Sequence, residues 1–231
     1  MTADFALILV EVVEALQWSV IVEACGCAKQ HLAETFWIRS SVVSELIVIR
    51  HGETAWSRTG QHAGRTDLPL TEAGQEAARA LAPRLAGREF AAVYSSPLTR
   101  AVRTAELAGL SGAEPDADLI EWDYGRFEGL TAEQILELKP GWELWRDGVA
   151  GGEDLGQVAK RVDAFLGRVR PLLDTGDVAV IAHGHLSRIL TARWLGLDPS
   201  AARQFGHPHP GTINTLGYEH GAPVVLGWNV P

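Results

Sequence analysis

Residues 177–188 read DVAVIAHGHLSR, and this stretch decides the fold. Val178 to Ala182 is an unbroken apolar run, too short for a core helix and bounded by Asp177 and the polar His183-Gly184-His185, so it reads as a buried strand. The residues after it, to about Leu195, read as a helix that starts at the strand's end. A strand buried on both faces and followed directly by a helix is the unit of a parallel sheet covered by helices. The same grammar recurs upstream. Glu45–Ile49 (ELIVI) is a second buried strand, ending on Arg50-His51-Gly52-Glu53. Thr71 is placed to cap a helix running to about Ala86, with Ala77, Leu81 and Leu85 at helical spacing. Phe90–Tyr94 reads as a strand and Leu98–Leu107 as a helix after Pro97. Downstream, Val158, Val162, Phe165, Val169 and Leu172/Leu173 mark a long amphipathic helix. Segments 213–218 and 223–228 read as a terminal hairpin around His220-Gly221, and residues 109–152 hold one short helix at 131–138. The fold expected is α/β, a three-layer α/β/α sandwich with a mostly parallel central sheet.

The chain has 231 residues with 20 Lys+Arg against 29 Asp+Glu, a formal charge of −9, and a 46% hydrophobic fraction sufficient for one core. An acidic protein lacks the basic face that sequence-independent nucleic-acid binding needs, so no nucleic-acid partner is expected. Cys25 and Cys27 make no disulfide framework, and a reducing, cytoplasmic compartment is the expectation. Residues 5–24 (FALILVEVVEALQWSVIVEA) are mostly apolar, but lack a basic start and carry Glu11, Glu14 and Glu23. A carboxylate near a membrane centre costs about 2.5–3.5 kcal/mol, so neither a signal peptide nor a span is expected. Glu11, Glu14 and Gln17 instead form one polar stripe on an otherwise apolar helix that would need a partner surface. Residues 1–44 are therefore read as an N-terminal extension of doubtful status, compatible with a mis-assigned start and a true one near Val42 or Val43, and 45–231 as the working domain.

In open α/β sheets, ligands bind outside the carboxyl ends of the strands. Those ends carry Arg50/His51, Ser95/Ser96 leading to Arg100, and His183/Gly184. Two arginines and two histidines in one crevice of an acidic protein describe a pocket for a small anion, with backbone N–H groups at the helix start as further donors. A histidine there can be a nucleophile, and a carboxyl group must then protonate the leaving oxygen and later activate water. Glu121, in LIEWDYG, follows an apolar pair and precedes Trp122, a neighbourhood expected to raise its pKa. His183-x-His185 and His207-x-His209 have ligand-type spacing, but no carboxylate or thiolate completes a set and no metal is expected.

Five segments in order carry a resemblance: LIVIRHGETAW (46–56), DLPLTEAGQ (67–75), YSSPLTRAVRTA (94–105), LIEWDYGRFEG (119–129) and IAHGHLSR (181–188). From Glu45 to about Asn229 the chain resembles the histidine phosphatase superfamily, which includes cofactor-dependent phosphoglycerate mutases and many acid phosphatases. The resemblance implies a phosphoglycerate mutase-like fold, His51 as the nucleophile that becomes phosphohistidine, and Glu121 as general acid and base. It implies Arg50, Arg100 and His183 as the phosphate clamp, with the Gly184 N–H as a further donor and no cofactor. Mutases carry an asparagine at the position of Ser57, whose shorter hydroxyl can still donate to phosphate. They carry Glu-Arg-His-Tyr-Gly where this chain has Glu121-Trp122-Asp123-Tyr124-Gly125, and Asp123 is expected to repel a second anionic group. A phosphatase of the acid phosphatase branch, acting on a small phosphorylated substrate, is favoured over a mutase or a non-catalytic phospho-ligand-binding module. The resemblance is also compatible with a homodimer. Trp122, Trp142 and Trp145 either wall the substrate mouth or pack the core; His185 and Arg188 are expected behind the site; Asp67, Thr71 and Glu72 are expected to set turns and helix starts.

Overall fold

A computed structural model describes residues 44–231. The proposed extension at 1–44 and the Cys25/Cys27 pair lie, apart from Ser44, outside the described residues. Six strands form one sheet in the order β3-β2-β4-β1-β5-β6. They are β1 (Leu46–Arg50), β2 (Phe90–Ser95), β3 (Glu114–Pro115), β4 (Asp177–Ala182), β5 (Ile213–Glu219) and β6 (Ala222–Val230). β3, β2, β4 and β1 are mutually parallel, while β5 and β6 add an antiparallel hairpin at the β1 edge. The expected mostly parallel sheet is therefore present.

Seven helices are described: α1 (Ala55–Thr59), α2 (Glu72–Leu85), α3 (Thr99–Leu107), α4 (Ala132–Leu138), α5 (Leu144–Asp147), α6 (Leu155–Val169) and α7 (Gly184–Trp194). Side chains alternate across a strand, so each strand feeds two cores. Leu46, Val48, Val178 and Val180 pack with Val162, Phe165 and Leu186 of α6 and α7 on one face. Ile47, Ile49, Ala179 and Ile181 pack with Leu81 and Leu85 of α2 and with Ala101 and Ala105 of α3 on the other. Each fully buried aliphatic side chain contributes roughly 1.5–3 kcal/mol, enough to fix the strand register from both faces.

Element ends follow the local chemistry. Thr71 caps α2 by accepting from the Gly74 N–H at 3.0 Å, and capping boxes start α1, α4 and α6. Asp67 accepts from both the N–H and the hydroxyl of Thr99, tying down the first turn of α3. The long helix expected through Leu172/Leu173 stops at Val169, because Pro171 cannot continue an α-helix and starts a 3₁₀ turn instead. The short β3, α1 and α5 were not expected from the sequence.

One close approach positions the loop that follows β1. Gly52, after β1, and Gly74, in the first turn of α2, meet backbone to backbone. A Cβ on Gly74 would lie 2.2 Å from the Glu53 carbonyl oxygen, and one on Gly52 would lie 2.3 Å from that of Gly74. Because the clash would be with backbone, Gly74→Ala must push the two segments apart. It is expected to cost about 1–3 kcal/mol of stability, read as a lower chemical-denaturation midpoint. An unchanged midpoint would refute this packing account.

Candidate active site

Parallel pairing assembles the site. Arg50 of β1 sits beside Ala182 of β4, and Ser95 of β2 beside Ile181. The residues that follow, His51, Ser96 and His183, are thereby neighbours although far apart in sequence. His51 and His183 are buried with ring centroids 5.0 Å apart, edge to face.

Hydrogen bonds fix the tautomers. His51 Nδ1 lies 2.7 Å from the Gly52 carbonyl oxygen, which can only accept, so the proton is on Nδ1 and the lone pair of Nε2 is free. Arg100 Nε donates to His183 Nδ1 at 3.2 Å, which places the His183 proton on Nε2, where it donates to Ser96 Oγ at 2.8 Å. Burial, reinforced by the Arg100 and Arg50 charges, holds His51 well below the usual imidazole range. Burial and Arg100 do the same for His183. Both rings are neutral, as a nitrogen nucleophile requires.

The arginines differ in what remains free. Arg100 is buried, and besides His183 its guanidinium donates to the carbonyls of Thr66, Ala63 and Gly64. One N–H, on Nη1, is left over. Arg50 donates through Nη1 to the Pro208 carbonyl, but its Nε is buried with no acceptor among the described residues. Burial brings Arg50 down from 12.5 to about 10, still a cation at neutral pH, with Glu121 acting in the opposite direction. A buried, charged donor without an acceptor is costly unless an anion completes it. The Gly184 N–H, first in α7 after the cap His183, likewise has no acceptor among the described residues. It adds the partial positive charge of a helix start.

Glu121 closes the site from the other side. Its Oε1 accepts from the Trp122 and Leu186 N–H groups, each at 2.9 Å, and its Oε2 from the His185 N–H at 3.0 Å. The apolar neighbourhood expected for this carboxyl is thus corrected to a backbone cradle at the α7 start. Oε2, with one donor against two, is the oxygen with room to exchange a proton.

Ser57 lies elsewhere in the hydrogen-bond pattern. Its hydroxyl donates to the Thr54 carbonyl at 3.1 Å and accepts from the Thr54 N–H at 2.9 Å, closing the capping box of α1. The tryptophans divide. Trp122 is fully buried in the core and donates to the Glu153 carbonyl, whereas Trp142 and Trp145 are partly buried beside imidazoles. Asp123 pairs with Arg65 at 3.4 Å, so the repulsion expected of it is largely offset. Arg188 donates to the Ala202 and Arg203 carbonyls and stacks over Trp145 at 4.5 Å, structural as expected.

Sequence reasoning missed a group of rings next to this centre. The Tyr124 hydroxyl and His185 Nδ1 share a hydrogen bond at 2.6 Å, and burial first and then the Glu121 charge keep the phenol protonated. His62 stacks on His185 at 6.1 Å, and His207 meets it edge-on at 5.0 Å. A Cβ on Gly184 would strike the His207 ring at 2.4 Å, so glycine there is what admits this ring beside Arg50. Tyr124 and His185 stood inside quoted motifs, but nothing in spacing alone pairs them. Among the described residues no three His, Cys, Asp or Glu side chains converge as metal ligands, and no helix is long and apolar enough to cross a membrane.

A buried histidine with a free ring nitrogen, arginine and helix-start donors and one carboxylate thus meet at the carboxyl edge of a parallel sheet. Comparison with known proteins is specific: residues 46–231 match the model of the histidine phosphatase superfamily (branch 1), and the chain belongs to that family. It is 40% identical over 179 residues to an acid phosphatase of Mycobacterium tuberculosis, covering 76% of this chain and 87% of the relative. It is 33% identical over 188 residues to the sedoheptulose 1,7-bisphosphatase of Saccharomyces cerevisiae, covering 68% and 69%. A solved structure of an open reading frame product from Mycobacterium tuberculosis superposes with a TM-score of 0.76 at 37% identity, covering 81% of this chain and 97% of that one. The protein is a phosphatase of the histidine phosphatase superfamily.

The His207 imidazole has a measurable consequence. The residue is exposed, yet desolvation first, and then Arg50 and Arg188, hold its ring below the usual imidazole range. As pH falls below 6.5 the unfolded chain therefore binds a proton at His207 before the native protein does, so this group lowers stability as pH falls and has little effect above pH 6.5. His207→Asn is expected to reduce proton uptake on unfolding near pH 5, by at most about one proton, measured from the slope of unfolding free energy against pH. An unchanged slope would mean His207 titrates normally in the native state.

Proposed function

We propose that the chain hydrolyses small phosphomonoesters without a metal, through a phosphohistidine on His51. The observation that carries this reading is the free Nε2 of His51 beside the acceptor-less Nε of Arg50. One lone pair and one buried charged donor lie where a phosphoryl group would satisfy both. Arg50, the remaining Arg100 N–H and the Gly184 N–H hold the phosphoryl oxygens, and His183 joins them by exchanging its Nε2–H bond to Ser96 for one to the phosphoryl group. Two guanidiniums and a helix start supply the charge stabilisation otherwise left to a metal.

His51 Nε2 attacks phosphorus, the P–O bond to the leaving group breaks, and Glu121 Oε2 gives its proton to the departing oxygen. Water then attacks the phosphohistidine, Glu121 takes a proton from it, the N–P bond breaks, and inorganic phosphate leaves with His51 neutral again. Ser57 is assigned to the rim, where it serves the phosphate only by exchanging its Thr54 bonds. His62, His207, Trp142 and Trp145 form the leaving-group side, suited to a ring or other apolar face. The Arg65–Asp123 pair leaves little net charge there for a second phosphate, which favours hydrolysis over mutase transfer. The matched span supports reading 45–231 as the working domain and 1–44 as an extension outside the chemistry.

The test is hydrolysis of 4-nitrophenyl phosphate in EDTA by the wild type and His51→Ala. The variant is expected to lose three or more orders of magnitude in kcat, with no acid-labile phosphoprotein on rapid quench. Phosphate release that requires added metal, or that survives in His51→Ala, would overturn the mechanism. Turnover of 3-phosphoglycerate with its bisphosphate primer would restore the mutase reading.

A further inference from the structure

The carboxylate of Glu121 is cradled by α7, but its main chain belongs to the segment 118–123, which leaves the 3₁₀ turn Ala117–Leu119 and forms no strand or α-helix. The backbone carbonyls of that segment are gathered by one side chain reaching across from α6. All five N–H groups of Arg161 are engaged there: Nη1 donates to the carbonyls of Asp118 (2.8 Å) and Ile120, and Nη2 to that of Glu121 (3.2 Å). The remaining donors, Nε and the second Nη2 proton, go to the two carboxylate oxygens of Glu153 at 2.9 and 3.0 Å.

Glu153 in turn grips the far end of the same segment. Its carboxylate accepts from the Asp123 N–H at 3.0 Å, its carbonyl from the Trp122 indole at 2.8 Å, and its N–H donates to the Asp123 carbonyl at 3.0 Å. Both side chains are largely buried, 13% and 14% exposed, so this ion pair is fully hydrogen-bonded rather than a screened surface contact. A planar fork can hold three carbonyls of one short segment at once; an ammonium cannot match that geometry.

We infer that Arg161 and Glu153 are positioning residues that set where the Glu121 carboxyl meets the leaving oxygen. This rests on the reading of Glu121 as proton donor. Neither side chain is hydrogen-bonded to Arg50, His51, Arg100 or His183, and their grip on Glu121 runs through the segment 118–123; the Arg161 charge, the last of those acting on His183, is kept in Arg161→Lys.

Leaving groups that depart without a proton are insensitive to the donor's position, while alkoxides are not. The experiment compares kcat/KM for 4-nitrophenyl phosphate and for a simple alkyl phosphate in wild type, Arg161→Lys, Glu153→Gln and Glu121→Gln. Glu121→Gln should lose about 10²–10⁴-fold on the alkyl ester and far less on the aryl ester. Arg161→Lys should show the same skew, roughly tenfold to a hundredfold, the scale expected of an ångström-sized misplacement. Because the readout is a ratio on one preparation, partial unfolding cancels. Should Arg161→Lys fail to fold, Glu153→Gln is judged by the same criterion, with a smaller skew expected. Equal losses on both esters in Arg161→Lys or Glu153→Gln, beside a skewed Glu121→Gln, would overturn the positioning role. An unskewed Glu121→Gln would instead remove the proton-donor reading beneath it.

Discussion

Arg50 and Arg100 are buried within reach of one another, and burial works against the charge of each. Glu121 is the first of the opposite charges acting on both. Most of the site's other features follow from this electrostatic constraint. The imidazoles of His51, His183, His185 and His207 are held below the usual range first by desolvation and then by the positive groups around them. Peptide carbonyls from Ala63 to Thr66 and from Pro208 converge on the guanidiniums as uncharged acceptors. None of the described residues supplies an acceptor for Arg50 Nε, a donor that the proposed phosphoryl group would satisfy.

The orientation of the His51 ring is set locally. Its Nδ1–H is committed to the Gly52 carbonyl, and that carbonyl is itself located by the contact of Gly52 with Gly74. The orientation of His51 therefore descends from a glycine pair that joins the first loop to α2. Thr71, which caps α2, also receives a backbone tie from Glu53, so the same contact is secured at both ends. A loop residue is held to the accuracy of a helix without belonging to one.

Much of this was legible in the sequence. Buried strands announce themselves as short apolar runs, and DVAVIA and LIVI appear as β4 and β1 within a residue of where they were read. Arg50, His51, Ser96, Arg100 and His183 were legible as a set because strand ends in a parallel sheet must meet. Their partners were not. Arg161 lies on the polar side of an amphipathic helix and reads as one more solvated charge, and Glu153 sits in a glycine-rich loop. Only the path of the chain between Asp118 and Asp123 turns them into a pair of clamps. Glu121 illustrates the same limit: its apolar neighbours in sequence, Leu119 and Trp122, turn into the core, while its carboxylate faces backbone N–H groups contributed by residues more than sixty positions away. Ser57 looked like a phosphate donor by its position in a motif, yet helix capping takes both its donor and its acceptor.

The two halves of the proposed site, phosphoryl and leaving-group, are built from different kinds of chain. The phosphoryl end comes from residues directly following β1, β2 and β4, whose register is fixed by aliphatic side chains on both faces of the sheet. The leaving-group end comes from His62, Trp142, Trp145 and His207, which lie on connecting segments and short helices held by a few side-chain hydrogen bonds, such as Trp142 to the Gly148 carbonyl and His62 to the Leu130 carbonyl. Substitution in the first group disturbs the core, whereas the second can change with little effect on the sheet. A scaffold so divided holds phosphoryl chemistry constant while the leaving group it accepts drifts. That division accounts for an acid phosphatase and a sugar bisphosphatase lying at comparable distances from one chain.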